Sequence, residues 1–249
     1  MSVETARYGD HASQVCELTR PAGESRGVVV VVHGGFWKVQ YGLELGRPLA
    51  ASLAERGWTA WNVEYRRVDP DDPSTGSGGY PLTLDDVAAA IDALADVPDL
   101  DLSTVVTLGH SAGGHLATWA ASRGRFPRWQ PERVRVTSVV SQAGVLDLRS
   151  AHEAGLGSGA VVGLLGHAPG PDDDPADPIR QVPLDVPVWC IHPTGDEDVP
   201  PSQSRAYVAA ARAAGARAHL EEVDGDHYVV IDPTSDAWAR TLAHLDTLG

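Results

Sequence analysis

Apolar positions along the chain follow two alternating rhythms. Short runs of β-branched residues are separated by longer Ala- and Leu-rich stretches that are apolar on one helical face, the pattern a parallel sheet with crossover helices leaves in a sequence. Val28 to Val32 is an unbroken valine run, as expected of a strand covered on both faces, and Leu45 to Arg56 follows as a helix closed by Gly57. Thr59 to Glu64 reads as the next strand. Leu82 to Ala95 is apolar at Leu84, Val87, Ala88, Ile91, Leu94 and Ala95 and carries Asp85 and Asp86 in its first turn, which predicts a helix. Val105 to Leu108 is a strand, Gly113 to Ser122 a helix, and Val134 to Gln142 a further strand. Val186 to His192 and Ala218 to Val223 are the last strands, separated by a helix from Ser202 to Ala214 that Gly215 ends, and Ser235 to Leu248 is the final helix.

Two stretches break this rhythm. Gly144 to Pro187 is rich in Gly, Pro and Asp and too long for a plain connection, so it offers a lid or cap over a site, with a short helix around Val161 to Leu165. Arg66 to Pro81 is a second long loop, built from the turn formers Asp69-Pro70-Asp71-Asp72-Pro73 and Gly76-Ser77-Gly78-Gly79. With no internal repeat and no low-complexity linker, residues 1–249 read as a single domain.

Composition narrows the function classes. The net charge of −15 repels polyanions, and Lys38 is the sole lysine, so neither nucleic acid nor an anionic membrane surface is an expected partner. Cys16 and Cys190 stand at no motif spacing; Cys190 lies in an apolar run, and a single bridge between the two is left open until their distance is known. Met1 to Asp10 is polar and acidic, and no apolar run approaches the ~18 residues that span a bilayer, so the chain is expected to be soluble and cytoplasmic.

Chemistry concentrates at strand ends. Gly109-His110-Ser111-Ala112-Gly113 matches G-x-S-x-G directly after one strand and at the opening of a helix. That context demands a sharp turn that lifts the Ser111 hydroxyl clear of the sheet, with small residues on either side. A serine hydroxyl needs a base, and the base a carboxylate to set its tautomer. After the strand ending at His192 comes Pro193-Thr194-Gly195-Asp196-Glu197-Asp198-Val199-Pro200, and after the last strand comes Asp224-Gly225-Asp226-His227. Among ten histidines His227 is the one in the loop directly after the last strand, and it is assigned as the base. Asp198 is preferred to Asp196 as the acid because it stands three residues past Gly195, far enough round the turn to point back. His33, His110, His115 and His192 are read as structural, and His11, His152, His167, His219 and His244 lack convergent partners. No H-x-x-H, H-E-x-x-H or C-x-x-C spacing is present, so no metal is expected. The tetrahedral intermediate needs preorganised N–H donors: Ala112 opens the helix after the serine, and His33-Gly34-Gly35-Phe36-Trp37 follows the valine strand.

These motifs, with Glu64-Tyr65-Arg66, Gly114-His115 and Gln203-Ser204, resemble the α/β-hydrolase family, and within it the esterase and kynurenine formamidase (arylformamidase) branch marked by H-G-G-x-W. The resemblance covers most of the chain. It implies an α/β-hydrolase fold, Ser111 as nucleophile with Asp198 and His227, and backbone N–H groups of Gly35 and Phe36 beside that of Ala112 as oxyanion hole. In relatives with G-x-x-D-x-x-V-P two residues separate the acid from Val-Pro, whereas here Val199-Pro200 follows Asp198 at once. Trp37, Tyr41, Tyr65 and Tyr80, with Phe36, gather near strand ends in a chain only 6% aromatic, and are expected to line a substrate pocket. Trp58, Trp61, Trp119, Trp129, Trp189 and Trp238 fall elsewhere and read as packing residues. The expectation is a serine hydrolase, without cofactor, acting on a small ester or aryl formamide. An acyltransferase or cyclase of the same fold stays open, as does a homodimer; an intact Ser, Asp and His set weighs against a non-catalytic binding protein.

Overall fold

A computed structural model of the chain describes residues 2–69, 71 and 78–248. Most of the turn-former run expected between Arg66 and Pro81 lies outside the described residues. The strands are β1 (Val3–Arg7), β2 (Val15–Thr19), β3 (Val28–Val32), β4 (Thr59–Val63), β5 (Val105–His110), β6 (Ser138–Gln142), β7 (Val188–Pro193) and β8 (Ala218–Val223). They form one sheet in the order β1-β2-β4-β3-β5-β6-β7-β8. From β4 onward along that order all neighbours are parallel, while β1 and β2 add an antiparallel edge. This is the α/β-hydrolase fold.

The valine run shows why the sheet is buried on both sides. Val28, Val30 and Val32 pack with α2 (Leu82–Asp92), α3 (Ala112–Ala120) and α6 (Ser202–Ala213), while Val29 and Val31 point to the other face, under α1 (Arg47–Glu55) and α7 (Asp236–Leu245). Successive side chains of a strand alternate faces, so an all-apolar strand requires a helical layer on each.

Several boundaries move for local reasons. The helix expected from Leu45 begins at Arg47, because Pro48 sits in its first turn and the preceding Leu43–Gly46 forms a 3-10 turn. The strand expected from Val134 begins at Ser138, although Val134 and Val136 are buried. β1 and β2 were not anticipated: β1 is a short, exposed edge strand with polar alternate residues, which reads as a polar terminus. The 144–187 segment holds α4 (Leu148–Glu153), capped by Asp147, and α5 (Ala160–Leu165) at the expected place. It is anchored on α3, where the side chains of His115 and Trp119 donate to the carbonyls of Ala176 and Pro175 at 2.8 and 3.0 Å. Cys16 and Cys190 are both free and buried. No described helix is long and apolar enough to cross a membrane.

Strand order reverses between β3 and β5, since β4 lies to one side of β3 and β5 to the other. In open parallel sheets the crevice beyond the carboxyl ends of the strands at such a point is where ligands bind. The G-x-S-x-G and H-G-G-x-W segments both leave the sheet there.

Candidate active site

Ser111 joins β5 to α3 with φ 57° and ψ −119°, a conformation that L-residues rarely adopt and that costs on the order of 1–3 kcal/mol. The surrounding bonds hold it: Ser111 N–H donates to Gln142 O at 2.8 Å, and Ser111 O accepts from His115 N–H at 3.1 Å. The flanking glycines are needed because a Cβ at Gly109 would stand 2.1 Å from Gly113 O, and one at Gly113 would stand 2.0 Å from Val32 O. Ala112 is the first residue of α3, where the helix leaves its leading N–H groups without intrahelical partners.

The loop after β3 is strained as well, with Phe36 and Trp37 at φ 55° and 58°. Its brace is Glu64-Tyr65-Arg66, after β4. His33 Nε2 lies 3.0 Å from Glu64 Oε1, the Tyr65 ring stacks on the His33 ring at 4.4 Å, and Tyr65 Oη donates to His33 O at 2.9 Å. Glu64 also accepts the N–H groups of Leu43 and Tyr65. Burial disfavours its charge, but the bond from His33 and the Arg67 guanidinium outweigh that and lower its pKa. Arg66 is clamped by Asp86, through bonds of 2.7 and 2.8 Å.

The carboxylate that meets His227 is that of Asp196, and not that of Asp198 as expected. His227 Nδ1–H donates to Asp196 Oδ2 at 2.6 Å, and Asp196 Oδ1 accepts the N–H groups of Asp198 and Val199 at 3.0 and 2.8 Å. The turn therefore wraps its own backbone around Asp196, which leaves the Asp198 side chain facing the cavity beside the site. Burial would raise the Asp196 pKa; the N–H groups of His192, His227 and Val199 overcome it and hold the carboxyl well below the usual carboxylate range. The missed signal was in the sequence: Asp196-Glu197-Asp198-Val199-Pro200 has the D-x-x-V-P spacing that Asp198 violates.

His110 is a support for the base. Its Nε2–H donates to His227 O at 2.9 Å and its ring lies 4.4 Å from that of His227. Burial first, then the neighbouring His227, pushes its pKa down to about 3, so it stays neutral.

The expected pocket aromatics separate into two groups. Trp37 and Tyr65 are fully buried and do not line the cavity; Trp37 packs edge-on against His115 at 5.3 Å, and Tyr65 braces His33. Tyr41 does line a cavity of about 670 Å³, with Phe36, Lys38, Gly157, Glu197 and Asp198. Tyr80 is half-buried beside α5, its N–H donating to Leu164 O, and is not part of that wall. The cavity joins the loop of Phe36 to residues 154–158 of the segment before β7: Lys38 Nζ donates to Gly157 O at 3.0 Å, and the Lys38 ammonium lies 5.5 Å from the centre of the Phe36 ring. Asp196, Asp198 and His227 stand close enough to share a cation, their nearest ligand atoms lying within 4.8 Å of one another. Both oxygens of Asp196 are already engaged by N–H donors, however, so the trio is organised around its own hydrogen bonds.

The fold and this crevice define an α/β-hydrolase fold protein whose serine, aspartate and histidine sit on the loops after β5, β7 and β8. Residues 17–210 match the BD-FAE family, and the chain belongs to it. It is 31% identical over 215 residues to the esterase LipQ of Mycobacterium tuberculosis (strain ATCC 25618 / H37Rv), an alignment covering 78% of this chain and 48% of LipQ. The chain spans about half the length of the curated relatives it matches. Among solved structures it resembles a truncated carbohydrate esterase from gut microbiota, with TM-score 0.81, 19% identity and coverage of 100% of this chain and 96% of that one. It also resembles esterase B of Lactobacillus rhamnosis inhibited by a tributyrin phosphonate, with TM-score 0.82, 23% identity and coverage of 99% and 84%.

Proposed function

We propose that this chain is a serine hydrolase that cleaves small carboxylic esters without a cofactor, through an acyl-enzyme on Ser111. The observation that carries the proposal is the 2.6 Å bond from His227 Nδ1–H to Asp196, on loops that adjoin the strained Ser111 turn. In this reading His227 Nε2 takes the Ser111 proton as Oγ attacks the ester carbonyl, and Asp196 stabilises the imidazolium. The N–H groups of Ala112, Gly35 and Phe36 receive the oxyanion. His227 then returns the proton to the departing alcohol, and a water molecule activated by the same base releases the acid and restores Ser111. Residues 154–158, latched to the oxyanion loop through Gly157, act as the lid over the acyl or alcohol side of the ester.

Ester cleavage is favoured over aryl formamide cleavage for two reasons. The names of LipQ and of the similar solved structures are esterase names. The H-G-G-x-W motif, which suggested the formamidase branch, has its Trp37 buried and off the cavity wall.

The test is a fluorophosphonate probe together with turnover of short-chain p-nitrophenyl esters. Wild-type protein is expected to be labelled at Ser111 and to hydrolyse the esters, and Ser111→Ala to do neither. Turnover that survives in Ser111→Ala would defeat the mechanism.

A further inference from the structure

A second histidine reaches the carboxylate of Asp196. His192, the penultimate residue of β7 and fully buried, places Nε2 3.3 Å from Asp196 Oδ2 and 2.9 Å from Val199 O, while its Nδ1 lies 2.7 Å from Ser204 Oγ in the first turn of α6. Both partners of Nε2 accept and neither donates, so Nε2 carries the proton; in the neutral ring Nδ1 is then the acceptor of the Ser204 hydroxyl. The result is a continuous run from Ser204 through His192 and Asp196 to His227. Asp196 thus accepts three N–H hydrogen bonds, from Asp198 and Val199 on Oδ1 and from His227 on Oδ2, while the His192 Nε2–H, which donates to Val199 O, stands 3.3 Å from the same Oδ2 as a fourth, electrostatic contact. Together these contacts, on both oxygens, restrict rotation of the carboxylate about Cβ–Cγ.

We propose that His192, with its tautomer set by Ser204, is a positioning residue for the Asp196–His227 pair, fixing the carboxylate plane and sharing the charge of the oxygen that His227 uses. A buried imidazole is a poor packing unit compared with an aliphatic side chain of like volume, and both ring nitrogens of His192 are engaged here, Nδ1 by Ser204 and Nε2 by Val199 O with Asp196 Oδ2 beside it. The His192 N–H dipole 3.3 Å from Oδ2 offsets part of that oxygen's charge, so loss of His192 leaves Asp196 more basic toward His227. The His227 imidazolium is then harder to deprotonate in the free enzyme, and the carboxylate is less well aimed.

Other groups facing the run do not reproduce this effect. His110 is neutral at all working pH values. Cys190 beside Ser204 has its thiol pushed up to about 12 by burial. Asp198 and Tyr228 lie on the solvent side, where the Tyr228 phenol is raised further by burial and by Asp198.

The inference rests on the hydrolase reading, and the experiment separates the two. The short His227–Asp196 bond gives a far-downfield proton NMR signal whose titration reports His227 without any turnover. His192→Leu removes the donor at similar size and is expected to lower kcat about tenfold or more at unchanged KM, the scale seen when a partner that orients a catalytic group is lost. It should also move the NMR titration and the acid limb of kcat/KM upward by about half a pH unit. His192→Gln, whose Nε2 can stand where the imidazole Nε2 stood, should restore both, and Ser204→Ala should move both part of the way. Unchanged titration in His192→Leu overturns the proposal. If His192→Leu does not fold, Ser204→Ala decides, and a wild-type titration there overturns it equally. A wild-type protein inactive on every ester would sink the hydrolase reading while the NMR titrations still decided the role of His192.

Discussion

Two aspartates on one turn, Asp196 and Asp198, differ in what surrounds them. Asp196 is buried and accepts three N–H hydrogen bonds, whereas Asp198 lends its own N–H to Asp196 and turns its carboxylate to the cavity. Asp196→Asn would present an amide in place of the carboxylate and mis-set the His227 tautomer, so kcat is expected to fall by about 10⁴ with little change in KM. Asp198→Asn keeps the backbone donor, and its effect is expected to stay within about threefold and to appear in KM. Steady-state kinetics on one short ester ranks the two, and the opposite order would return the role to Asp198. At this scale the sequence was legible where a residue type has few alternatives: one serine at an elbow, one histidine in the loop directly after the last strand. It was misread where the choice lay between neighbouring like residues, because the direction of a side chain on a tight turn is set by which backbone N–H groups it can reach. The same limit applies to Trp37 and Tyr65, aromatic residues near a site that prove to be its supports.

Among the elements, the segment before β7 owes its position to contacts with both α3 and the oxyanion loop. Gly157 is the contact point: it adopts φ +57°, and a Cβ there would stand 2.3 and 2.6 Å from ring atoms of Phe36. Gly159, two residues on, adopts φ +86° with open space around it. Gly157→Ala and Gly159→Ala therefore carry comparable backbone strain, on the order of 1 kcal/mol, but only the first displaces Phe36. Melting temperatures of the two variants should fall similarly, while kcat/KM should drop about tenfold for Gly157→Ala and less than about twofold for Gly159→Ala. Equal kcat/KM in the two would show that the segment does not shape the site. Element type was readable wherever apolar spacing spanned several turns, as in α2, or a strand was apolar throughout, as in β3. α4 was hidden because six residues give too little periodicity, and β1 because an exposed edge strand lacks an apolar face.

For the whole molecule, His110, His115 and Asp177, three buried titratable groups outside the His227–Asp196 pair, shape the response to acid. Burial, with a contribution from His227, holds His110 down to about 3, and burial holds His115 down to about 4. The unfolded chain protonates both imidazoles below about 6.5, so between about pH 4 and 6.5 it binds two more protons than the folded one. Asp177 acts in the opposite sense. Burial pushes its carboxyl up to about 7, and its Oδ2 has no hydrogen-bond partner, so the folded state keeps a proton there that the unfolded chain releases near 4. The balance is about one proton more in the unfolded state, and stability should fall on acidification by about 1.4 kcal/mol per pH unit over this range. Below it the depressed Asp196 carboxyl adds to the loss as it takes up its proton. Urea unfolding across pH 4.5 to 6.5, a window between the folded and unfolded pKa values of these groups, should show Asp177→Asn nearly doubling that slope and His115→Gln nearly abolishing it. A slope untouched by Asp177→Asn would mean that its carboxyl is ionised in the folded protein.

The latch between Lys38 and Gly157 bears on how the protein can be handled as a catalyst on a solid support. Aldehyde, epoxide and succinimidyl resins couple to amines and leave guanidinium groups alone, and this sequence offers one lysine among many arginines. Apart from a chain terminus, such chemistry would tether the protein through the wall of its own cavity and pull the ammonium off Gly157. Exchanging Lys38 for arginine and an exposed arginine on the opposite helical layer, such as Arg240 of α7, for lysine would turn the cavity toward solvent and make the attachment point a matter of choice.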